Sequence, residues 1–236
     1  MTNANTIPST APASSAKMLR AMVGIGLICA LMIVLTFEGT LPIIEKNKAE
    51  ALEKAIFKVL PGTVTKKTFK LEDNNVFTEI TTEEKDASLV YAGYDENGEL
   101  VGIALEASGM GFADVLRILY GYDPKQQTVV GFYVLESKET PGLGDKIEKD
   151  ENFLANFEAL DVSLKEDGSA VENMVVPVKF GQKDDPWEVD GITGATISSR
   201  AIGNIIGAST SEWVPLLYEN KEVFETATIE MEKAQQ

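Results

Sequence analysis

The longest uninterrupted apolar stretch of the chain, Ala21 to Phe37, reads AMVGIGLICALMIVLTF and carries no charge. With Met18, Leu19 and Arg20, whose aliphatic stem can snorkel, it reaches about 20 residues, enough to cross a hydrocarbon layer of roughly 30 Å. A helix satisfies its own backbone groups in lipid, so one span stands without partners. A cleaved signal sequence has a shorter apolar core, of about 7–15 residues, followed by a small-x-small site. Glu38-Gly39-Thr40-Leu41-Pro42 offers no such site, and the pattern predicts a single transmembrane helix over residues 17–38. The segment before it, residues 1–16, is small, polar and Pro-bearing and is expected to be a disordered cytoplasmic tail. Lys17 and Arg20 precede the span, whereas Glu38 and Glu45 are the first charges after it. The positive-inside rule then puts the N-terminus in the cytoplasm and the main domain on the outer side, with Lys46 and Lys48 as a smaller counterweight.

Beyond the span the periodicity changes. Ile44, Leu52, Ala55, Ile56 and Val59 recur at helical spacing, and Pro61-Gly62 closes that segment. Two apolar runs, Ser88–Tyr94 and Glu99–Leu105, flank Asp95-Glu96-Asn97-Gly98, and an Asn-Gly step between such runs is a strong hairpin signal. Gln127–Leu135 and Val171–Lys179 read as further strands. Asp145–Leu160 and Ser198–Tyr218 carry apolar residues at helical spacing, the second through Ile202, Ile205, Ile206, Trp213 and Leu217. Strand hairpins mixed with non-alternating helices predict an α+β fold over residues 39–220, with antiparallel strands and flanking helices. Residues 221–236 form a polar C-terminal tail.

Composition then narrows the chemistry. The 236 residues include 37 acidic and 21 basic side chains, for a net charge of −16. Such a surface repels phosphate backbones, so nucleic acid is a poor partner. The chain has no histidine and one cysteine, Cys29, inside the span. That removes histidine-based zinc or haem ligation, a Ser-His-Asp triad, cysteine-held iron–sulfur clusters and any internal disulfide. No metal site is expected, and redox chemistry in this chain would require an organic cofactor.

Two segments carry candidate chemistry. Asp190-Gly-Ile-Thr-Gly-Ala-Thr-Ile-Ser-Ser199 is a small-residue turn that opens a helix. Gly194 and Ala195 allow close backbone approach, the first helical turn offers amides and a positive dipole end, and Thr196 adds a hydroxyl at that point. An ordinary N-cap has the same residue types. The second segment, Glu139-Thr-Pro-Gly-Leu-Gly-Asp145, follows the strand Gln127–Leu135. It reads equally as a ligand loop with exposed amides or as a strand-to-helix turn capped by Asp145. Ser108-Gly-Met-Gly-Phe-Ala113 is a glycine-rich turn, not a dinucleotide fingerprint. Tyr120, Tyr122 and Trp187 could stack on a planar ligand or pack in the core.

The 190–199 segment resembles the flavinylation motif of FMN-binding domains, and Glu139–Gly144 matches the Glu-Thr-Pro-Gly-Leu-Gly signature of the same domain. In order and behind one N-terminal span, they resemble the G-subunit family of Rnf electron transport complexes. That family is related to the C subunit of the sodium-pumping NADH:quinone reductase. The Asp145-Lys146-Ile147 that follows fits the Rnf branch better. The resemblance implies an electron-transfer subunit of a ferredoxin:NAD oxidoreductase complex that moves Na⁺ or H⁺, not a stand-alone catalyst. A separate flavin transferase would take FMN from FAD and leave it phosphoester-linked to Thr196. Asp190, Thr193, Gly194 and Ala195 would form the recognition turn, and Glu139, Thr140, Gly142 and Leu143 would lie beside the isoalloxazine. Lys179 would meet phosphate or ring, unless it is an ordinary solvated lysine. The implied partners are the other membrane subunits, and the implied place is a bacterial inner membrane, with the FMN domain periplasmic. The equivalent component of the quinone-reductase complex, or a membrane-anchored binding module without cofactor, are the alternatives.

Overall fold

The computed structural model describes residues 15–81 and 87–225. Residues 1–14 of the predicted N-terminal tail, and 226–236 of the C-terminal one, lie outside these. The chain divides into two compact units, residues 1–50 and 51–236. In the first, α1 (Ser15–Val59) begins at Ser15 and runs through the apolar stretch. Its apolar side chains there are exposed, Met22, Leu27, Leu31 and Ile33 among them. An apolar helix bare on every side is suited to lipid rather than water.

The periodicity suggests two helices divided near Pro42, yet α1 is continuous over 45 residues with Pro42 inside it. Thr36 Oγ and Thr40 Oγ donate to the carbonyls of Met32 (2.8 Å) and Thr36 (2.9 Å) just before the proline. Both bonds stay within the helix, one turn back along it; the carbonyl that Pro42 leaves without its amide donor is that of Glu38.

The second unit is built on a seven-stranded antiparallel sheet. In chain order its strands are β1 (Thr65–Leu71), β2 (Phe77–Ile80), β3 (Leu89–Tyr94), β4 (Leu100–Met110), β5 (Val115–Asp123), β6 (Thr128–Glu136) and β7 (Leu160–Asp161). They lie in the order β2-β1-β3-β4-β5-β6-β7, so β3 to β6 form a meander. The Asn97-Gly98 turn joins β3 to β4, and Asp95 caps it by accepting from the Asn97 and Glu99 amides at 2.8 Å each.

One sheet face receives the last turns of α1. Ala55, Ile56, Val59 and Leu60 pack with Tyr91, Ala104 and Leu119. Glycines on adjacent strands make room for that approach. A Cβ on Gly121 would meet the Val59 carbonyl oxygen at 2.2 Å, and one on Gly131 would meet it at 2.3 Å. The other face builds the main core. It is covered by α3 (Thr196–Glu219), whose buried Ile202, Ile206, Val214 and Leu217 keep the helical period. A parallel pair, β8 (Val176–Val178) with β9 (Glu188–Asp190), lies beside α3. Gly203 and Gly207 of α3 allow that contact, since a Cβ there would meet Pro177 Cβ at 2.8 Å and the Val175 carbonyl oxygen at 2.4 Å.

Three segments differ from their sequence reading. Asp145–Leu160 is no single helix: it breaks into a 3₁₀ turn (Gly144–Glu148), the short α2 (Glu151–Leu154), a second 3₁₀ turn (Ala155–Phe157) and β7. Its aromatics Phe153 and Phe157 pack on each other and on Phe132 as a compact cluster. Val171–Lys179 is extended only over β8. Ser108–Met110 completes β4, and the turn itself is Gly111–Asp114, closed by the Gly111 amide on the Asp114 carbonyl at 2.9 Å.

Candidate functional site

β9 ends at Asp190, and the chain turns through Gly191–Ala195 into α3. Gly194 takes φ +85°, a left-handed conformation that favours glycine. Ala195, not Thr196, occupies the N-cap, and it makes no side-chain cap bond. Thr196 is therefore the first helical residue, and its hydroxyl does not cap the helix. It is exposed, and its one contact within the turn, to the Ile192 carbonyl, is 3.5 Å long. Capping within the turn falls to Ser199, whose Oγ accepts from the Ile192 amide at 3.1 Å. The first main-chain bond of α3 runs from the Ser199 amide to the Ala195 carbonyl at 2.9 Å. The amides of Thr196, Ile197 and Ser198 thus lack intrahelical acceptors, as the first turn of any helix does.

Glu139 ties this turn to two other loops. The side chain is 6% exposed. Its Oε1 accepts from the amides of Phe112 (2.7 Å) and Ala113 (3.1 Å), and its Oε2 accepts from the Ser198 hydroxyl at 2.6 Å. Three donors satisfy a carboxylate that would otherwise be costly to bury. The fit leaves no spare volume: a Cβ on Gly111 would lie 2.4 Å from Oε1, and one on Gly144 would lie 2.3 Å from Oε2. Both glycines are set by the carboxylate between them. The Thr140 carbonyl accepts from the amides of Leu143 (3.1 Å) and Gly144 (3.0 Å), and Gly142 takes φ +78°, which fixes the Pro-Gly loop.

These loops enclose a cavity of about 330 Å³, lined by Phe112, Glu139, Thr140, Leu143 and Gly144 on one side and by Gly194–Ser198 on the other. That volume is at the small end of ligand sites, roughly 300–1,000 Å³. Its rim is apolar and uncovered: Phe112 is 63% exposed, Leu143 54% and Ile197 56%. A second, more polar cavity of about 190 Å³ lies against the Asp190–Thr193 part of the same turn, with Lys146, Asp150 and Asn152 in its wall. Asp190 accepts from the Gly181 amide at 2.7 Å, which holds the β8–β9 connection.

The structure thus brings Glu139, Thr140, Leu143, Gly194, Ala195 and Thr196 to one cavity, and Asp190 and Thr193 to its neighbour. Gly142 shapes the loop without lining either. Lys179 is exposed and lines neither cavity; the lysine at the turn is Lys146, 3.8 Å from where a Cβ would sit on Gly194. Asp145 does not cap a helix: it pairs with Lys149 at 2.6 Å, which holds its carboxyl below the usual range, and the cap of α2 is Asp150, which accepts from the Phe153 amide at 3.0 Å. Tyr120 and Tyr122 are core residues, and Tyr120 shares a hydrogen bond of 2.8 Å with Ser209. Trp187 is half-buried beside β9 and lines neither cavity. Sequence reasoning did not single out Phe112, Ile197, Ser198 or Lys146. Ile197 was detectable, because it is apolar but out of phase with the core stripe of Ile202, Ile205 and Ile206.

The residues present fit a flavin mononucleotide. A flat apolar ring suits the rim of Phe112, Leu143 and Ile197, and the exposed Thr196 hydroxyl with first-turn amides suits a phosphate. Comparison with known proteins agrees. Residues 111–209 match the model of the FMN-binding domain. The G subunit of an ion-translocating oxidoreductase complex from Cereibacter sphaeroides is 32% identical over 181 residues, covering 75% of this chain and 74% of that protein. The protein of the same name from Methanosarcina acetivorans is 29% identical over 194 residues, covering 79% and 87%. In fold, the chain resembles NqrC of Shewanella oneidensis, at a TM-score of 0.56 and 18% identity over 78% of this chain and 98% of that one. It resembles the C subunit of the Na(+)-translocating NADH-quinone reductase from Parabacteroides distasonis to the same TM-score, at 19% identity over 73% and 94%.

Proposed function

The chain belongs to the G-subunit family of ion-translocating oxidoreductase complexes, and from that premise we propose that it works as a membrane-anchored electron-transfer protein with FMN esterified to Thr196. The names of its relatives favour this branch over the quinone-reductase one. The observation that carries the attachment is the Thr196 hydroxyl: exposed, uncommitted to capping, and facing the Pro-Gly loop across one cavity.

In the attachment step, Thr196 Oγ attacks the phosphorus on the FMN side of FAD. The bond to the AMP oxygen breaks, AMP leaves, and the hydroxyl proton passes to a base on the flavin transferase. Asp190, Thr193, Gly194 and Ala195 give the transferase a fixed turn to read. Bound FMN supplies one- and two-electron chemistry that no side chain of this protein can. Phe112, Leu143 and Ile197 offer an apolar seat that excludes water from one side of the ring, and Thr140 and Gly142 shape the loop against it. Glu139 is a positioning residue: from the cavity wall it holds three segments together.

α1 anchors the domain in the membrane, with Lys17 and Arg20 on the cytoplasmic side and the FMN domain outside. A covalent tether suits that side, where flavin lost by dissociation would not be recovered. Partners are the other membrane subunits of the complex. Denaturing electrophoresis under ultraviolet light tests the attachment: protein made with a flavin transferase should give a fluorescent band, and Thr196→Ala should not. A band that persists in Thr196→Ala would place the flavin elsewhere.

A further inference from the structure

A phosphodiester keeps one negative charge, and this protein carries a net charge of −16, so an attached flavin phosphate needs a local cation. Lys146 is the one basic residue in the walls of the two cavities that flank the Asp190–Ser199 turn. The acidic residues of the two cavity walls, and Asp145 next to it in sequence, each make hydrogen bonds or an ion pair with other groups. Asp145 is bound to Lys149, Asp150 accepts from the Phe153 amide, Asp190 accepts from the Gly181 amide, and Glu139 is filled by its three donors. Among the described residues, the half-buried Lys146 ammonium has no hydrogen bond or ion pair. It stands 3.8 Å from the Cβ position of Gly194. Gly194 and Thr196 are two peptide units apart, at most about 7.6 Å between Cα atoms, which a lysine stem and a phosphate arm span together.

We propose that Lys146 is the cation that holds the flavin phosphate on Thr196, a positioning residue for attachment and for the finished diester. This rests on the attachment proposed above.

The test uses the full chain in detergent, flavinylated by a transferase present in limiting amount, as wild type, Lys146→Met and Lys146→Arg. The Met variant keeps length and apolar stem and removes the charge; the Arg variant restores it. We expect the Met variant to keep its thermal midpoint and to load flavin roughly tenfold more slowly, as the loss of one charge-assisted hydrogen bond implies. Its ³¹P resonance should move to that of a flavinylated peptide in solution. The Arg variant should recover both the rate and the wild-type resonance. A Met variant with wild-type loading and resonance would overturn the proposal, as would Met and Arg variants that lose stability alike. A wild type that takes no flavin at Thr196, with active transferase, would remove the attachment itself and this inference with it.

Discussion

Truncating Glu139 to alanine should cost the domain far more than the loss of one surface carboxylate. The side chain is 6% exposed and accepts from the Phe112 and Ala113 amides and from the Ser198 hydroxyl. Hydrogen bonds to a charged group are each worth about 1.5–3 kcal/mol, and Glu139→Ala strands three donors at once. Water entering the vacated volume, and the carboxylate desolvation that the variant no longer incurs, offset part of this. The expected net loss is about 3–5 kcal/mol, since each buried donor left unpaired costs roughly 1–3 kcal/mol before that offset. For a domain of this size, 1 kcal/mol shifts the thermal midpoint by about 2–4 °C, so the midpoint should fall by roughly 6–20 °C. Glu139→Gln keeps an acceptor for the two amides and turns its NH₂ toward Ser198 Oγ, which can accept; its loss should be about 1–2 kcal/mol. Near-ultraviolet circular dichroism of the detergent-solubilised chain measures both. Amide exchange at Phe112 and Ala113 should accelerate before the rest of the domain opens. An alanine variant within ~1 kcal/mol of wild type, below the range for a buried charged contact, would show that Glu139 does not hold the three loops together.

Gly131→Ala places a Cβ against the Val59 carbonyl, at 2.3 Å. Overpacking of that kind should destabilise by about 1–3 kcal/mol, while flavin content per folded molecule stays unchanged because the site lies on the other sheet face. Phe112→Ser with Ile197→Ser should leave the flavin attached but lower its fluorescence anisotropy, since the ring loses its apolar seat; unchanged anisotropy would place the ring elsewhere. Asp114 and Asp145 have carboxyls held below the usual range, chiefly by Lys138 and Lys149. A depressed folded value stabilises above the ordinary carboxylate pKa and is lost as pH falls through the folded one. The protection of the 139–146 amides, taken relative to their intrinsic exchange rates at each pH, should therefore be steady from pH 7 to about pH 5 and fall only below about pH 4; a fall already near pH 6 would contradict this.

Much of the fold is legible in the chain because the signals are local. The uncharged run from Ala21 to Phe37, the Asn97-Gly98 turn and the Ile202–Leu217 stripe each declare an element without reference to the rest. Tertiary demands hide the others. β1 (TKKTFKL) carries three lysines on a half-covered strand, and β5 is apolar on both faces, so neither shows clean alternation. The 145–160 stretch has a helical period yet folds as turns, broken at Asp150, which leaves helical backbone to cap the short α2. At the site, the two loops are visible as motifs. Their connection through Glu139 is not, since its donors lie 26, 27 and 59 residues away. Lys179 and Lys146 look alike in sequence; only the packing puts one in solvent and the other beside Gly194.

The central claim concerns a single oxygen, Thr196 Oγ. Tandem mass mapping of the full chain, produced in a host with a flavin transferase, reads it directly. The peptide spanning Asp190 to Arg200 should carry the mass of one FMN less one water, with fragment ions that place the addition on Thr196. The same peptide recovered unmodified, or with the addition on Thr193, Ser198 or Ser199, would contradict the account.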